Sequence, residues 1–317
     1  MNDSATDHYQ AIMQGAKALP RLDVAVVHPV DANSIRAAVE AADEGLIRPI
    51  LVGPKQRILR AIAEFTATEG ASTGDWDIVD AEHSHAAAAT AVALAAAGKV
   101  GALMKGALHS DELLHPVVDA QSGLRTESRI SHAYVLDVPT YHKPLIITDA
   151  AINIAPDLSA KADICRNAIG LWRSLFGRDR TPKVAILSAV ETVMQSMPST
   201  IDAAALCKMA DRGQITGAIL DGPLAYDNIV SRQAALDKGI VSEVSGDVDI
   251  VVVPNIETGN ALAKQLIYLG HANAAGIVLG ARVPIILTSR ADSLHTRLLS
   301  CVAALYLVQA RNRGDIK

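Results

Sequence analysis

The sequence predicts an α/β protein in which mainly parallel sheets are covered by helices on both faces. Short β-branched runs alternate with longer alanine- and leucine-rich stretches along the chain, a pattern that indicates βαβ units with right-handed crossovers. Half of the residues are hydrophobic but only 3% are aromatic. Small aliphatic side chains must therefore fill the core, as they do in strands buried on both faces. The length of 317 residues favours two domains.

The N-terminal part of the chain is predicted to alternate regularly between strand and helix. Asp31 or Asn33 is a candidate N-cap for the first helix of this alternation, and Gly53-Pro54 ends a strand because these residues favour turns. The predicted strands cover residues 23–28, 50–52, 77–79 and 101–104, and the predicted helices cover 31–44, 55–65 and 83–97.

The rest of the chain continues the same rhythm. Strands are predicted at 145–148, 184–188, 218–221, 249–253 and 283–288, and helices at 161–176, 200–212, 258–268 and 293–309. The polar stretch 121–131 and the turn at His142 are candidate domain boundaries. A cleft between two α/β domains is the natural place for a ligand.

Composition and missing motifs exclude several functions. A formal net charge of −5 gives no footprint for nucleic acid or an anionic membrane. The three isolated cysteines suggest neither disulfides nor a zinc site. We find no signal peptide, and the apolar stretch 86–97 is too short to span a membrane. We therefore expect a cytoplasmic protein without nucleic-acid or membrane partners.

Four common catalytic or binding motifs are missing from the sequence. These are the dinucleotide fingerprint G-x-G-x-x-G, the P-loop, the G-x-S-x-G elbow and the H-E-x-x-H zinc motif. The ten histidines are scattered without metal-ligand spacing. We therefore expect no metal site.

The segment 285–293 is the most informative part of the sequence. An apolar strand leads directly into Ser289 and Arg290, and a helix follows. Ligands of open parallel sheets bind beyond the carboxyl ends of strands, and helix N-termini favour anions. Ser289 and Arg290 are therefore candidates to contact a phosphate or an oxyanion. The alternative is that Asp292 or Ser293 only caps the helix while Arg290 is solvated.

Two further segments are predicted to follow strands. One is the pair Gly222 and Pro223, which could also be ordinary turn residues. The other carries Asn255, Glu257 and Asn260, although an acid in a first helical turn is also favoured by the helix dipole alone. Both segments are candidate substrate-binding loops.

A cluster of cationic and polar side chains lies between residues 105 and 129. An acidic protein that binds a phosphorylated ligand needs such a local cluster, and arginine suits bidentate anion contact. The alternative is a set of surface ion pairs with neighbouring acids, which would contribute little stability. The cluster consists of Lys105, His109, Ser110, Arg125 and Arg129.

From about Val24 to Val308 the chain resembles the phosphate acetyltransferase and phosphate butyryltransferase family. Several ordered blocks carry this resemblance, and the longest are the most specific. They are MKGALHSDELL at 104–114, GLRTESRISH at 123–132, TDAAINIAPDL at 148–158, DGPLAYDN at 221–228, VPNIETGNALAKQL at 253–266 and LGARVPIILTSRADS at 279–293.

The resemblance implies two α/β/α domains of the isocitrate and isopropylmalate dehydrogenase type, with the active site in the interdomain cleft. The first domain would comprise residues 1–142 and 282–317, and the inserted second domain residues 143–281. The implied protein is a homodimer. Its reaction converts acyl-CoA and phosphate reversibly into acyl phosphate and free CoA, without a permanently bound cofactor or a metal.

The resemblance also implies roles for individual residues. Ser289 would contact the CoA thiol or the reacting carbonyl, and Arg290 the phosphate. Either Arg125 or Arg129 would bind phosphate or CoA, and Ser131 lies in the same block. Acetyltransferases of the family tend to carry an Asp seven residues after the Ser, where this chain has Thr296.

Because threonine at position 296 cannot act as the acid or base that the resemblance implies there, the identity of the general base stays open. Asp292 and His295 are the nearby candidates for that role. The implied acyl group is acetyl, with propionyl and butyryl as alternatives. Two rival functions also stay open, namely a metal-dependent NAD(P) dehydrogenase of the same fold and a catalytically silent CoA- or metabolite-binding regulator.

Overall fold

The structure is a computed structural model that describes residues 3–70, 74, 76–287 and 293–316. Helices and short strands alternate along this part of the chain. The strands are β1 (Leu22–Val27), β2 (Ile47–Gly53), β3 (Ile78–Asp80), β4 (Ala102–Lys105), β5 (Ser131–Asp137), β6 (Leu145–Thr148), β7 (Lys183–Leu187), β8 (Ile219–Leu224), β9 (Ile250–Val252), β10 (Asn273–Leu279) and β11 (Ile285–Ile286).

The helices cover most of the remaining chain. They are α1 (Asp3–Lys17), α2 (Ala32–Asp43), α3 (Lys55–Glu69), α4 (Ser84–Ala96), α5 (Ser110–Val118), α6 (Leu158–Phe176), α7 (Pro198–Asp211), α8 (Tyr226–Val230), α9 (Arg232–Asp237), α10 (Ile256–Tyr268) and α11 (Leu294–Asn312). Within the described ranges, no helix is both long enough and apolar enough to cross a membrane.

The chain forms two compact units. The terminal unit comprises residues 11–128 and 275–315, and the central unit comprises residues 129–274 with a few residues from either end of the chain. Each unit makes most of its residue contacts within itself. The domain boundaries expected above, near 142 and 281, follow instead from the family resemblance. Those expected boundaries stay a prediction.

In the terminal unit the strands run in the order β3-β2-β1-β4-β11-β10. All neighbours in this order are parallel except β10 and β11. Strand β1 is almost entirely buried because α2 and α4 pack against the sheet. Helix α11 packs against α2, where Arg297 of α11 donates to both carboxylate oxygens of Glu40 at 3.0 and 2.7 Å.

In the central unit the strands run in the order β5-β6-β9-β7-β8. Strands β6, β9, β7 and β8 are parallel, whereas β5 and β6 are antiparallel. One apolar cluster under this sheet combines Leu136, Leu145, Val251, Leu266 and other buried side chains. The expectation of a mainly parallel α/β protein is confirmed.

The structure differs from the predicted elements in several places. Gly222 and Pro223 were predicted to lie in a loop, which is wrong, because both belong to β8. A Cβ at residue 222 would lie 2.8 Å from the Cβ and carbonyl oxygen of Ile186 in β7. Glycine is therefore needed where these two strands approach. The predicted strand at 283–288 is reduced to Ile285–Ile286 within the described residues, and Thr288 lies outside them.

Candidate active site

Several polar side chains of the central unit lie at the carboxyl ends of β6 and β9. Strand β6 ends at Thr148 and is followed by Asp149. Strand β9 ends at Val252, and α10 then begins after the N-cap Asn255, whose Oδ1 accepts from the N–H of Thr258 at 2.9 Å. Because parallel neighbours end at the same edge, these groups lie where open α/β sheets bind ligands.

Asp149 is a buried carboxylate with only 2% of its surface exposed. Its Oδ1 accepts from the N–H groups of Ala151 and Ile152 at 2.9 and 3.0 Å. Its Oδ2 accepts from the N–H and the Nδ2 of Asn153 at 3.2 and 2.6 Å. Four donors therefore compensate the charge, as a buried carboxylate requires, and they fix the loop that follows β6.

Asn153 connects Asp149 to Arg129 by hydrogen bonds. The Nδ2 of Asn153 also donates to the carbonyl of Ile130 at 2.8 Å, so both amide protons are used. Its Oδ1 accepts from Nε of Arg129 at 2.7 Å. Asn153 is buried, whereas Arg129 is exposed. A buried amide therefore holds an exposed guanidinium.

Helix α10 packs closely against the same loop. A Cβ at Gly259 would lie 2.3 Å from the carbonyl oxygen of Asp149, so only glycine permits this approach. Nδ2 of Asn260 donates to the carbonyl of Ala150 at 3.2 Å. Asn255 and Asn260 thus serve local structure as well as being candidate ligands, while Glu257 is exposed in the first turn.

Ser131 and His132 begin β5 next to this loop, and both are buried. Oγ of Ser131 accepts from Nδ2 of Asn167 on α6 at 2.8 Å. Burial lowers the pKa of His132 to about 4, although the charge of Asp149 opposes this shift. Nδ1 of His132 is buried without a hydrogen-bond partner among the residues that the structure describes.

The carboxyl ends of β1 and β4 form a second edge, in the terminal unit. Lys105 ends β4 and is half-buried, with Nζ 3.5 Å from the carbonyl of Gly106. A Cβ at Gly106 would lie 2.4 Å from the carbonyl of Val27, so glycine is required there. Next to it, Nδ1 of His28 donates to the carbonyl of Ala107 at 3.1 Å. Burial lowers the pKa of His28 despite this hydrogen bond.

His109 and Arg125 are also in the terminal unit, and both are exposed. His109 precedes α5, and its N–H donates to Oε2 of Glu112 at 2.9 Å. Glu112 also accepts from Ser84 at 3.2 Å and lies 3.4 Å from His85. Glu112 thus bonds to the backbone at the start of α5 and contacts two side chains at the start of α4, rather than a cationic side chain of the predicted cluster. The backbone of Arg125 forms an isolated bridge with Ala281.

Three predicted catalytic residues, Ser289, Arg290 and Asp292, lie outside the described residues. The strand that precedes them, β11, runs parallel to β4 with Ile286 opposite Met104. The helix that follows, α11, is capped by Ser293, whose Oγ accepts from the N–H of Thr296 at 3.2 Å.

Thr296 and His295 lie in different surroundings at the start of α11. Thr296 is 9% exposed and takes part in the cap network with Ser293. His295 is exposed. The residue at the position of the family's usual acid thus contributes to the helix start.

Comparison with known proteins places the chain in one family. The profile of the family described as "Phosphate acetyl/butaryl transferase" matches residues 64–305. The chain belongs to this family. It is 56% identical to the phosphate acetyltransferase of Rhizobium meliloti over 96% of this chain and 94% of that protein. It is 38% identical to the phosphate butyryltransferase of Clostridium beijerinckii over 96% of this chain and 99% of that protein.

Solved structures agree with this assignment to the phosphate acetyl/butyryl transferase family. A branched-chain phosphotransacylase from Enterococcus faecalis aligns with a TM-score of 0.76 at 28% identity, covering 90% of this chain and 99% of that one. A phosphotransacetylase from Streptococcus pyogenes shares the fold, with a TM-score of 0.79 at 20% identity over 95% and 98% of the chains. The members of this family are acyltransferases.

Within this family member, the structure brings some predicted site residues together and not others. Arg129 and Asn260 bond to the loop after β6, whereas Ser131 bonds to α6 and Asn255 caps α10. Gly222 and Pro223 lie within β8. Asp149 and Asn153 are not among the predicted site residues, although the rule that identified other candidates applies to Asp149. Asp149 directly follows the predicted strand 145–148.

Proposed function

We propose that this chain transfers an acetyl group between CoA and inorganic phosphate, giving acetyl phosphate and free CoA. The observation that carries the proposal is its high identity, over nearly its whole length, to phosphate acetyltransferases. The phosphate butyryltransferases among its relatives are less similar, which favours acetyl over propionyl and butyryl. Each extra methylene is worth about 0.8 kcal/mol when buried, so a pocket can distinguish these groups.

The barrier of this reaction is the approach of an anionic phosphate to a thioester carbonyl, through a tetrahedral oxyanion. In our proposal Arg290, with Arg125 or Arg129, holds and partly neutralises the phosphate. Ser289 stabilises the oxyanion, a contribution of about 2.7–4 kcal/mol by analogy with known oxyanion holes. Holding both substrates in one geometry supplies much of the remaining rate enhancement.

In the reverse direction a base must take the thiol proton, because the thiolate is the nucleophile. We propose Asp292 or His295 for this role, since Thr296 has no titratable group and its backbone and hydroxyl serve the helix cap. The exposed position of His295 allows it to exchange protons with solvent.

Further residues are proposed to bind the substrates. Cationic and polar side chains of this kind suit the phosphates and amides of CoA. Gly222 and Pro223 remain weaker candidates, because Gly222 already serves the contact between β7 and β8. The proposed binding residues are Lys105, His109, Arg125, Ser131, Asn255, Glu257 and Asn260, together with Gly222 and Pro223.

The remaining details of the proposal follow the family. We propose a cytoplasmic homodimer that uses CoA as a substrate and needs no permanently bound cofactor. Among the residues that the structure describes, no group of three or more histidine, cysteine or acidic side chains is arranged to hold a metal ion.

Thiol release from acetyl-, propionyl- and butyryl-CoA, measured with a chromogenic disulfide with and without phosphate, tests the proposal. We expect phosphate-dependent release with the highest kcat/KM for acetyl-CoA. Arg290→Gln should raise the KM for phosphate and lower turnover, and unchanged kinetics would remove Arg290 from the site. CoA binding without any release would favour the regulator, and NAD(P)H formation would favour the dehydrogenase.

A further inference from the structure

The guanidinium of Arg129 is hydrogen-bonded through Nε, whereas its two terminal nitrogens take no part in that bond. Its Nε donates to Oδ1 of Asn153 at 2.7 Å. The chain has an excess of acidic residues, with a net charge of −5. Even so, among the described residues no acid forms an ion pair with the guanidinium of Arg129. The Nη1 and Nη2 donors therefore stay available as a pair, the geometry in which arginine binds a phosphate with two hydrogen bonds.

The backbone of Arg129 is also fixed. Its N–H donates to Oδ2 of Asp163 at 3.1 Å, and its carbonyl accepts from Nδ2 of Asn167 at 2.8 Å. Both partners lie on α6. Exposed arginines ordinarily keep their side-chain freedom, because ordering one costs up to about 2 kcal/mol. Here two hydrogen bonds fix the backbone of an exposed arginine, and the one from Nε to Asn153 restrains its side chain.

The group that holds Arg129 is itself held by a buried charge. Asn153 cannot rotate its amide without losing contacts, since Nδ2 donates to Asp149 and to the carbonyl of Ile130. Only Oδ1 is left to face Arg129. The hydrogen bonds to Asp149 and Ile130 therefore determine how the side-chain amide of Asn153 is oriented. Asp149 is in turn fixed by three backbone N–H groups. The chain Asp149–Asn153–Arg129 thus runs from a buried carboxylate to an exposed cation.

We infer that Asn153, oriented by Asp149, is a positioning residue that aims the guanidinium of Arg129 at a phosphate group of the substrates. The inference rests on the proposed function and deepens it. It also selects Arg129 over Arg125, whose described contact is a backbone bridge. The phosphate belongs either to inorganic phosphate or to CoA, and the two sources share the same recognition chemistry.

A double-mutant cycle tests this inference. Arg129→Lys keeps the charge but removes Nε and the fork, and Asn153→Ala removes the group that aims it. Each single variant should raise a phosphate-related KM at least about tenfold, the loss expected for a charge-assisted hydrogen bond. In the Arg129→Lys background, Asn153→Ala should raise that KM no further, because Asn153 acts through Arg129. Arg212→Lys, an exposed arginine of the same unit, is the matched control.

The kinetic constants identify the source of the phosphate. A higher KM for inorganic phosphate with an unchanged KM for acetyl-CoA assigns Arg129 to inorganic phosphate. A higher KM for acetyl-CoA, with an unchanged KM for acetyl-pantetheine, assigns it to a CoA phosphate. Either result supports the inference. Increases that simply multiply in the double variant would overturn it, as would two unchanged KM values in the single variants.

A second measurement does not depend on turnover. Phenylglyoxal modifies accessible guanidinium groups, and peptide mass spectrometry reports the modification of Arg129. Inorganic phosphate or CoA should protect Arg129 in the wild type, and the protection should be lost in Asn153→Ala. Thiol release by the wild type tests the proposed function alone. Equal modification of wild-type Arg129 with and without either protectant would overturn the inference even in an active enzyme.

Discussion

Both units carry polar side chains at the carboxyl ends of their strands, but the two edges are built differently. In the central unit Asp149, Asn153 and Arg129 bond to one another, and the first two are buried. In the terminal unit Lys105 is half-buried and His109 is exposed. One edge is thus built on a buried carboxylate, whereas Lys105 and His109 at the other edge are only half-buried or exposed.

The difference in burial and hydrogen bonding between the two edges bears on the kind of ligand each could bind. A fixed guanidinium loses little entropy on binding a small anion, which favours a defined phosphate position. A lysine side chain has a flexible stem and a compact charge, which suits a larger, flexible anionic ligand. In our proposal the ordered anion contact belongs to the central edge. The next four predictions test the structural features described at the two edges and at the amino end of the central sheet.

The largest expected effect is on stability, at Asp149. Asp149→Asn replaces one carboxylate oxygen by an NH2 group, which cannot accept. Two of the four donors that now bond to Asp149 would therefore lose their acceptor. We expect the free energy of unfolding to fall by about 3 kcal/mol in a urea titration followed by circular dichroism. The matched change at the terminal edge, Glu112→Gln, should cost no more than about 0.5 kcal/mol, because glutamine still accepts in a capping box. Equal losses would mean that the two edges do not differ in the way described.

The close backbone approaches should matter at both edges. Gly259→Ala and Gly106→Ala each bring a Cβ within 2.3–2.4 Å of a carbonyl oxygen, so both should lose about 1–3 kcal/mol. Gly170, inside α6, has no heavy atom closer than 4.0 Å to its added Cβ. Gly170→Ala should therefore gain up to about 1 kcal/mol from helix propensity. A stability at least equal to wild type in either tight variant would contradict the described approach.

The buried imidazole of His132 should make stability depend on pH. Because its folded pKa of about 4 is lower than the unfolded value of 6.5, its stabilising contribution is complete above pH 6.5. That contribution is lost as the pH falls from 6.5 towards 4. We expect wild type to lose about 2 kcal/mol more than His132→Gln between pH 7.5 and 5. The exposed His115 gives the control His115→Gln, which should keep the wild-type slope. Identical slopes for wild type and His132→Gln would contradict the burial of a neutral imidazole.

The smallest expected effect lies at the opposite, amino end of the central sheet. Partial burial alone would raise the pKa of Asp247, but hydrogen bonds from Lys143, Lys183 and His142 hold it well below its usual range. Its contribution is therefore complete above the ordinary value of 3.8 and is lost as the pH falls below that value. Since the carboxylate is 42% exposed, Asp247→Asn should cost at most about 1 kcal/mol at pH 7. The stabilities of the two proteins should converge in acid unfolding below pH 3.8, and a constant difference would contradict this account.

Sequence reasoning predicted β1, β4, β6 and β9, whose carboxyl ends form the two edges, because short apolar runs mark them locally, but it did not predict α5 or β5. It could not foresee that Gly222 lies inside β8, since this depends on the approach of Ile186 in a neighbouring strand. It found Arg129 from a cluster of cations and from the family resemblance. Asn153, which orients Arg129, is 24 residues away in sequence and has no local motif.

Product analysis tests the central claim most directly. Acetyl-CoA and inorganic phosphate are incubated with the protein, free thiol is counted, and acetyl phosphate is followed by phosphorus NMR. Our account predicts one acetyl phosphate for each thiol released, and no thiol release when phosphate is omitted. Thiol release that yields acetate without acetyl phosphate would contradict the account, because water rather than phosphate would then be the acceptor.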